Sequence, residues 1–118
     1  MRILIVDDST YIRTMLRSTL EDQGFEIIGE AVNGEMAIDM IMTKSPDLVT
    51  LDNILPDMTG IDVLKAIKDM EPRPKVIMIS AVGQQSAIVE AISNGASEYL
   101  VKPFDKSRLI TRVKELNN

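Results

Sequence analysis

The chain has 118 residues, 45% hydrophobic and 26% charged, which is the size and balance of one globular domain with a real core. Its net charge of -5, from 18 acidic against 13 basic residues, argues against a generic nucleic-acid binder. The lack of any cysteine or histidine excludes disulfides, thiol chemistry, imidazole acid–base work, and Cys or His metal sites within the chain.

Arg2 to Val6 is a compact apolar run suited to one buried strand, and it stops at Asp7-Asp8-Ser9. Acids arriving this early do not fit a signal peptide. No apolar run approaches ~20 residues either, so no membrane span is expected and the expected location is the cytoplasm. From Thr10 to Gln23, apolar residues at Ile12, Met15, Leu16 and Leu20 give the spacing of an amphipathic helix, capped by Ser9 or Asp8 and ended by Gly24. Phe25 to Ala31 is a weaker strand whose glutamates suggest an edge position. Asn33-Gly34 is a turn or cap before a helix over Glu35 to Lys44, with Ala37, Ile38 and Ile41 inward, stopped by Ser45-Pro46.

Asp47 to Asp52 reads as the third strand. A loop at Pro56 to Gly60 leads to a helix over Asp62 to Met70, with Val63, Leu64, Ile67 and Met70 on one side. After the break Glu71-Pro72-Arg73-Pro74, Lys75 to Ile79 is a buried fourth strand ending at Ser80. Gly83-Gln84-Gln85 opens a helix with Ile88, Ala91 and Ile92 inward and Gly95 as its stop. Glu98 to Val101 is a short fifth strand ending at Lys102-Pro103. The last helix runs from Ser107 to Leu116 through Leu109, Ile110 and Val113. Strands and helices that alternate in this way imply an α/β fold, a doubly wound parallel sheet with helices on both faces and right-handed crossovers.

Ligands of such sheets bind beyond the carboxyl ends of the strands. Those ends carry Asp7 and Asp8 from the first strand, Asp52 from the third, Ser80 from the fourth and Lys102 from the fifth. Three carboxylates left together repel one another, and a hard divalent cation resolves the repulsion. Oxygen ligands without His or Cys select Mg²⁺ or Mn²⁺. A metal on Asp8 and Asp52, supported by Asp7, leaves room for a phosphoryl group, with Lys102 and Ser80 as further donors and Asp52 as the carboxylate able to act as nucleophile. Each residue taken singly has a plainer reading. An Asp at a strand end caps a turn, Asp7-Asp8 ahead of a helix favours its dipole, Ser80 caps a turn, Lys102 is a surface lysine, and Tyr99 is a half-exposed strand residue. It is their joint occurrence on one rim that points to a site.

The strings Ile3-Leu4-Ile5-Val6-Asp7-Asp8-Ser9, Asp47-Leu48-Val49-Thr50-Leu51-Asp52, Leu55-Pro56-Asp57-Met58-Thr59-Gly60, Ile79-Ser80-Ala81 and Val101-Lys102-Pro103-Phe104 resemble the receiver domain of two-component response regulators, over essentially all of residues 1–118. The resemblance implies a (βα)5 flavodoxin-like sandwich with strand order 2-1-3-4-5, an order taken from this family, whose known example is CheY, and not from spacing. It also implies that Asp52 is the phosphoacceptor for a histidine kinase. Mg²⁺ would be held by Asp7, Asp8, Asp52 and the backbone carbonyl of Ile54. Ser80 and Lys102 would bind the phosphoryl oxygens, Tyr99 would turn inward when Ser80 moves, and the Lys102-Pro103 bond would be cis. Ile54 and Val82 occupy the two places that tune loss of the phosphoryl group in the family. Both are apolar and cannot orient an attacking water, so slow self-dephosphorylation and reliance on a phosphatase are expected.

With the sequence ending just after the fifth predicted helix, no output domain is expected. The expectation is a monomeric receiver that is not an enzyme in its own right and acts by binding. Ser80-Ala81-Val82-Gly83-Gln84-Gln85 most resembles chemotaxis regulators of the CheY type, whose partners are the chemotaxis kinase and the flagellar motor switch. The alternatives are a phosphorelay intermediate serving a histidine phosphotransfer domain and the receiver of a transcription factor. A Mg²⁺ aspartyl-phosphate phosphohydrolase needs an acid where Ile54 stands. A flavin carrier would be repelled by Asp7-Asp8.

Overall fold

In the computed structural model, which describes residues 1–117, five strands alternate with five helices. In chain order they are β1 (Arg2–Val6), α1 (Thr10–Glu21), β2 (Glu26–Ala31), α2 (Gly34–Lys44), β3 (Leu48–Leu51), α3 (Gly60–Ala66), β4 (Lys75–Ser80), α4 (Gln85–Ser93), β5 (Glu98–Val101) and α5 (Lys106–Leu116). Every strand pair is parallel and the sheet order is β2-β1-β3-β4-β5, as the resemblance implies.

Successive strand side chains point to opposite faces, and here both faces are cores. Leu4, Val6, Val49, Leu51, Val76 and Met78 face a cluster completed by α2, α3 and α4 through Ile41, Val63 and Ala91. Ile3, Ile5, Leu48, Ile77 and Ile79 face a second cluster, completed by Leu16 and Leu20 of α1 and by Leu109 and Val113 of α5. Burial on both faces explains why β1 and β4 read as nearly unbroken apolar runs. Each such Leu or Ile contributes roughly 1.5–3 kcal/mol on burial. The centre of the sheet is therefore the firmest part of the molecule, and its strand tips are well-fixed platforms. β2 lies at an edge, and its Glu30 is paired with Arg13 and Arg17 of α1.

Helix ends follow local chemistry. Ser9 caps α1 through the Ile12 N–H, and Asn33 caps α2 through the Met36 N–H. Gly24 takes a positive φ of 85°, open to glycine at no steric cost, where the chain turns from α1 into β2. α3 begins at Gly60 rather than Asp62, because Thr59 and Asp62 form a reciprocal capping box. It also ends sooner than apolar spacing suggests. Beyond Ala66 the chain continues in tight turns closed by the Lys68 N–H to Lys65 and the Met70 N–H to Ile67. In α4, Ala91 is buried and Ile88 packs against the core, but Ile92 is 47% exposed instead of inward. The inward stripe of this short helix passes through Ala87, Ala91 and Ile88, and Ile92 sits about 40° beyond its Ile88 edge.

Candidate functional site

The ladder bonds that continue past three strands land on three polar residues. The Asp7 N–H donates to the Ala31 carbonyl at 3.1 Å, the Asp52 N–H to Val6 at 3.0 Å and the Lys102 N–H to Ser80 at 2.8 Å. The sheet thus fixes the backbone of each at one rim. One carboxylate oxygen from each of Asp7, Asp8 and Asp52 lies within 4.8 Å of the other two. Asp52 is only 6% exposed and Asp7 is buried, whereas Asp8 is open to solvent. The Lys102 ammonium donates to Asp7 Oδ2 at 2.8 Å and to Asp52 Oδ2 at 3.2 Å. The remaining oxygens take backbone donors: Ser9 N–H to Asp7 Oδ1 at 2.9 Å and Ile54 N–H to Asp52 Oδ1 at 3.1 Å.

Burial raises the Asp52 carboxyl above its ordinary value. The Ile54 N–H and the Lys102 ammonium oppose the rise, while the charge of Asp7 adds to it. Burial pulls Lys102 down, but its hydrogen bond to Asp7 and the attraction of Asp52 and Asp7 outweigh that and leave the ammonium above its ordinary value. Asp52 is thus raised chiefly by burial and Lys102 by its two carboxylate partners, and at this rim two buried carboxylates share a single cation, so that negative charge is in excess. A divalent cation would relieve that excess. The donor set fits Mg²⁺, since it consists of three carboxylates together with the Ile54 carbonyl, which accepts no hydrogen bond among the described residues.

Ser80 is fully buried at the end of β4, and its Oγ accepts the Val82 N–H at 3.2 Å. Tyr99, on β5, is 6% exposed, and its hydroxyl donates to the Val82 carbonyl at 2.6 Å. The plain expectation of a half-exposed strand tyrosine is corrected here. β5 pairs Tyr99 with Met78, and the ring joins the α2–α3–α4 cluster. Val82 thus bridges the two hydroxyls, holding Ser80 through its N–H and Tyr99 through its carbonyl. The Lys102-Pro103 peptide is cis, and so is Glu71-Pro72. Ile54 is 59% exposed and Val82 half-buried, so both stand at the mouth of the site with apolar side chains.

Three residues that sequence reasoning left without a role hold this rim in shape. Asn53 is buried; its side-chain oxygen accepts the Ile61 N–H at 3.3 Å and its backbone carbonyl accepts the Gly60 N–H at 2.8 Å, tying the start of α3 to Asp52. Asp57 accepts the Gly34 N–H at 2.8 Å and the Glu35 N–H at 2.9 Å, and these bonds hold its carboxyl below the ordinary carboxylate range. Arg13 donates to the Asp7 carbonyl at 2.8 Å. The Asp57 partners and the Glu30 that anchors Arg13 come from other elements, so no local pattern could have announced them.

The response regulator receiver domain family matches residues 3–114, a span that takes in every rim residue above and all of the five strands but Arg2. The chain belongs to that family. Among similar proteins, the chemotaxis protein CheY of Bacillus subtilis is 44% identical over 117 residues, covering 99% of this chain and 98% of that protein. CheY of Thermotoga maritima is 41% identical over 116 residues, covering 98% and 97%. Among solved structures, the complex of CheX with CheY, BeF3 and Mg from Borrelia burgdorferi superposes with a TM-score of 0.93 at 34% identity, over 99% of this chain and 89% of that one. This is a CheY-like receiver of a two-component response regulator, and its nearly full-length likeness to CheY proteins supports a role in chemotaxis. Among the described residues, no helix is long and apolar enough to cross a membrane.

Proposed function

We propose that this receiver accepts a phosphoryl group on Asp52 from a histidine kinase and signals in chemotaxis through phosphorylation-dependent binding, with the flagellar motor switch as target. The observation that carries the reading is Asp52 itself, a carboxylate 6% exposed at a strand tip, within 4.8 Å of two further acids and 3.2 Å from an ammonium. An Asp52 oxygen attacks the phosphorus of the donor phosphohistidine. The O–P bond forms as the P–N bond breaks, and the electron pair returns to the imidazole ring. Raised basicity from burial favours Asp52 as the attacking group. Mg²⁺ held by Asp7, Asp8, Asp52 and the Ile54 carbonyl would supply positive charge to the phosphoryl oxygens. Lys102 adds its ammonium at the same place.

Ser80 carries the signal onward. Its oxygen accepts the Val82 N–H, which leaves its own proton to donate to a phosphoryl oxygen, and the Val82 carbonyl holds Tyr99, so a shift of Ser80 towards the phosphoryl group would be felt at Val82. The chain from Ser80 through Val82 to Tyr99 therefore leads from the site to the face of α4, β5 and α5, which exposes Val89, Ile92 and Val101. Two packings of this chain with different affinities for a partner suffice for signalling. We take the receiver to act in the cytoplasm as a monomer, with a CheX-like protein as its phosphatase. A phosphohydrolase reading is disfavoured, because the side chain two residues beyond Asp52 is that of Ile54, which has no acid to offer.

Intact-mass measurement after incubation with acetyl phosphate and Mg²⁺ should show one added phosphoryl group in the wild type and none in Asp52→Asn. Uptake by Asp52→Asn would overturn the site. A pull-down with beryllofluoride and Mg²⁺ should enrich a motor-switch component, and equal recovery without beryllofluoride would remove that partner.

A further inference from the structure

We propose that Arg13 is a positioning residue for the metal-binding acids, acting through the Asp7–Asp8 peptide; this rests on reading Asp7, Asp8 and Asp52 as a cation site. The two acids are held very differently. Asp7 is fixed by its side chain, through Ser9 and Lys102. Asp8 is exposed, and its carboxylate makes no hydrogen bond among the described residues. What aims Asp8 is its backbone. The Asp7 carbonyl and the Asp8 N–H belong to one planar peptide, so fixing the direction of that oxygen fixes the position of the Asp8 Cα, the point from which its side chain departs.

The Asp7 carbonyl oxygen is held at 2.8 Å by Arg13 Nη1. The guanidinium is itself anchored at two further points, with Nε donating to Glu30 Oε1 at 3.0 Å and Nη2 to Thr10 Oγ1 at 3.3 Å. The other Glu30 oxygen accepts from Arg17 Nε at 2.7 Å, so this carboxylate on β2 is locked between two arginines. The Arg13 side chain is 14% exposed, which shields the arrangement from competing water. A planar fork held at three points keeps one direction in a way a lysine ammonium cannot.

Electrostatics and positioning predict opposite signs. A cation near a dication site repels the metal, so deleting Arg13 for its charge alone tightens Mg²⁺ binding. Deleting it as a positioning group weakens binding, by about the tenfold typical of outer-shell partners. The experiment is calorimetric titration of Mg²⁺ into wild type, Arg13→Met, Arg13→Lys, Arg17→Met, Glu30→Gln and Asp8→Asn, with thermal melts of each metal-free protein. Arg17 shares Glu30 but does not touch Asp7, so Arg17→Met is expected to lower stability while leaving Mg²⁺ affinity equal or tighter. Arg13→Met is expected to weaken it about tenfold, with only partial recovery in Arg13→Lys. Arg13→Lys keeps the positive charge, so weaker binding there cannot come from electrostatics, and it decides the matter should Arg13→Met fail to fold; Glu30→Gln, which removes both an anchor of Arg13 and a negative charge, is expected to weaken binding on either account. Arg13→Met or Glu30→Gln binding Mg²⁺ as tightly as wild type, while Asp8→Asn binds weakly, overturns the positioning role and leaves the cation site standing. Unchanged affinity in Asp8→Asn overturns the cation site first.

Discussion

Ile54 and Val82 both stand at the mouth of the site, and neither can hold a water by hydrogen bonding. An acyl phosphate on Asp52 should therefore persist in the purified protein. Ile54→Asn, which places an amide beside Asp52, is expected to shorten its lifetime several-fold. Decay followed by mass spectrometry tests this, and loss of the wild-type phosphoryl group within seconds would sink it. Thr50 presents a different residue-scale case. It lies two residues before Asp52 in the middle strand, and its buried hydroxyl has no hydrogen-bond partner among the described residues. A buried polar group left unpaired costs about 1–3 kcal/mol. Thr50→Val keeps the shape and removes that cost, so it should raise unfolding stability by about 1 kcal/mol in urea titration. A loss of stability would mean that the hydroxyl is paired after all.

At the scale of elements, the junction from β3 to α3 is closely packed against backbone. A Cβ on Gly60 would stand 2.7 Å from the Asp52 carbonyl oxygen and 2.9 Å from the Asn53 Cα. Both neighbours are backbone and cannot rotate away, so Gly60→Ala must push α3 from the strand tip. The expected cost is about 1–3 kcal/mol, as for other overpacking, together with slower phosphorylation of Asp52. Wild-type stability in Gly60→Ala would show that the junction yields. This junction also shows what the sequence made legible and what it did not. The strand before Asp52 announced itself by an apolar run, because burial on both faces demands one. The start of α3 was carried by Thr59 and Asp62 as a capping box, a signal that apolar spacing overlooks. Asn53 and Asp57 could not be read, since their partners are fixed only once separate elements pack. Ile92 misled because a spacing of four residues marks a helix face without saying how wide the buried stripe is.

The whole molecule keeps two carboxylates and one ammonium at the heart of a sheet rim, and its response to pH should show that imbalance. Asp52 binds its proton more tightly folded than unfolded, since burial raises its carboxyl. Its contribution to stability is therefore full below the ordinary carboxylate range and is lost as pH rises through the raised folded value. Glu30 behaves in the opposite sense. Held below its ordinary value chiefly by the Arg17 hydrogen bond, it stabilises the fold above the carboxylate range and loses that effect as pH falls through its lowered value. Without metal, Asp52→Asn should thus be more stable than wild type at neutral pH, and the difference should shrink in acid, where wild-type Asp52 is itself protonated. Mg²⁺ should reverse the order. A ligand at a hundred times its Kd stabilises the fold by about 2.7 kcal/mol, and the variant, lacking one ligand, gains less. Urea titrations at neutral and acid pH, with and without Mg²⁺, separate these terms. If metal-free Asp52→Asn is the less stable protein at neutral pH, Lys102 already neutralises the pair, and the excess of negative charge that calls for a divalent cation is not there.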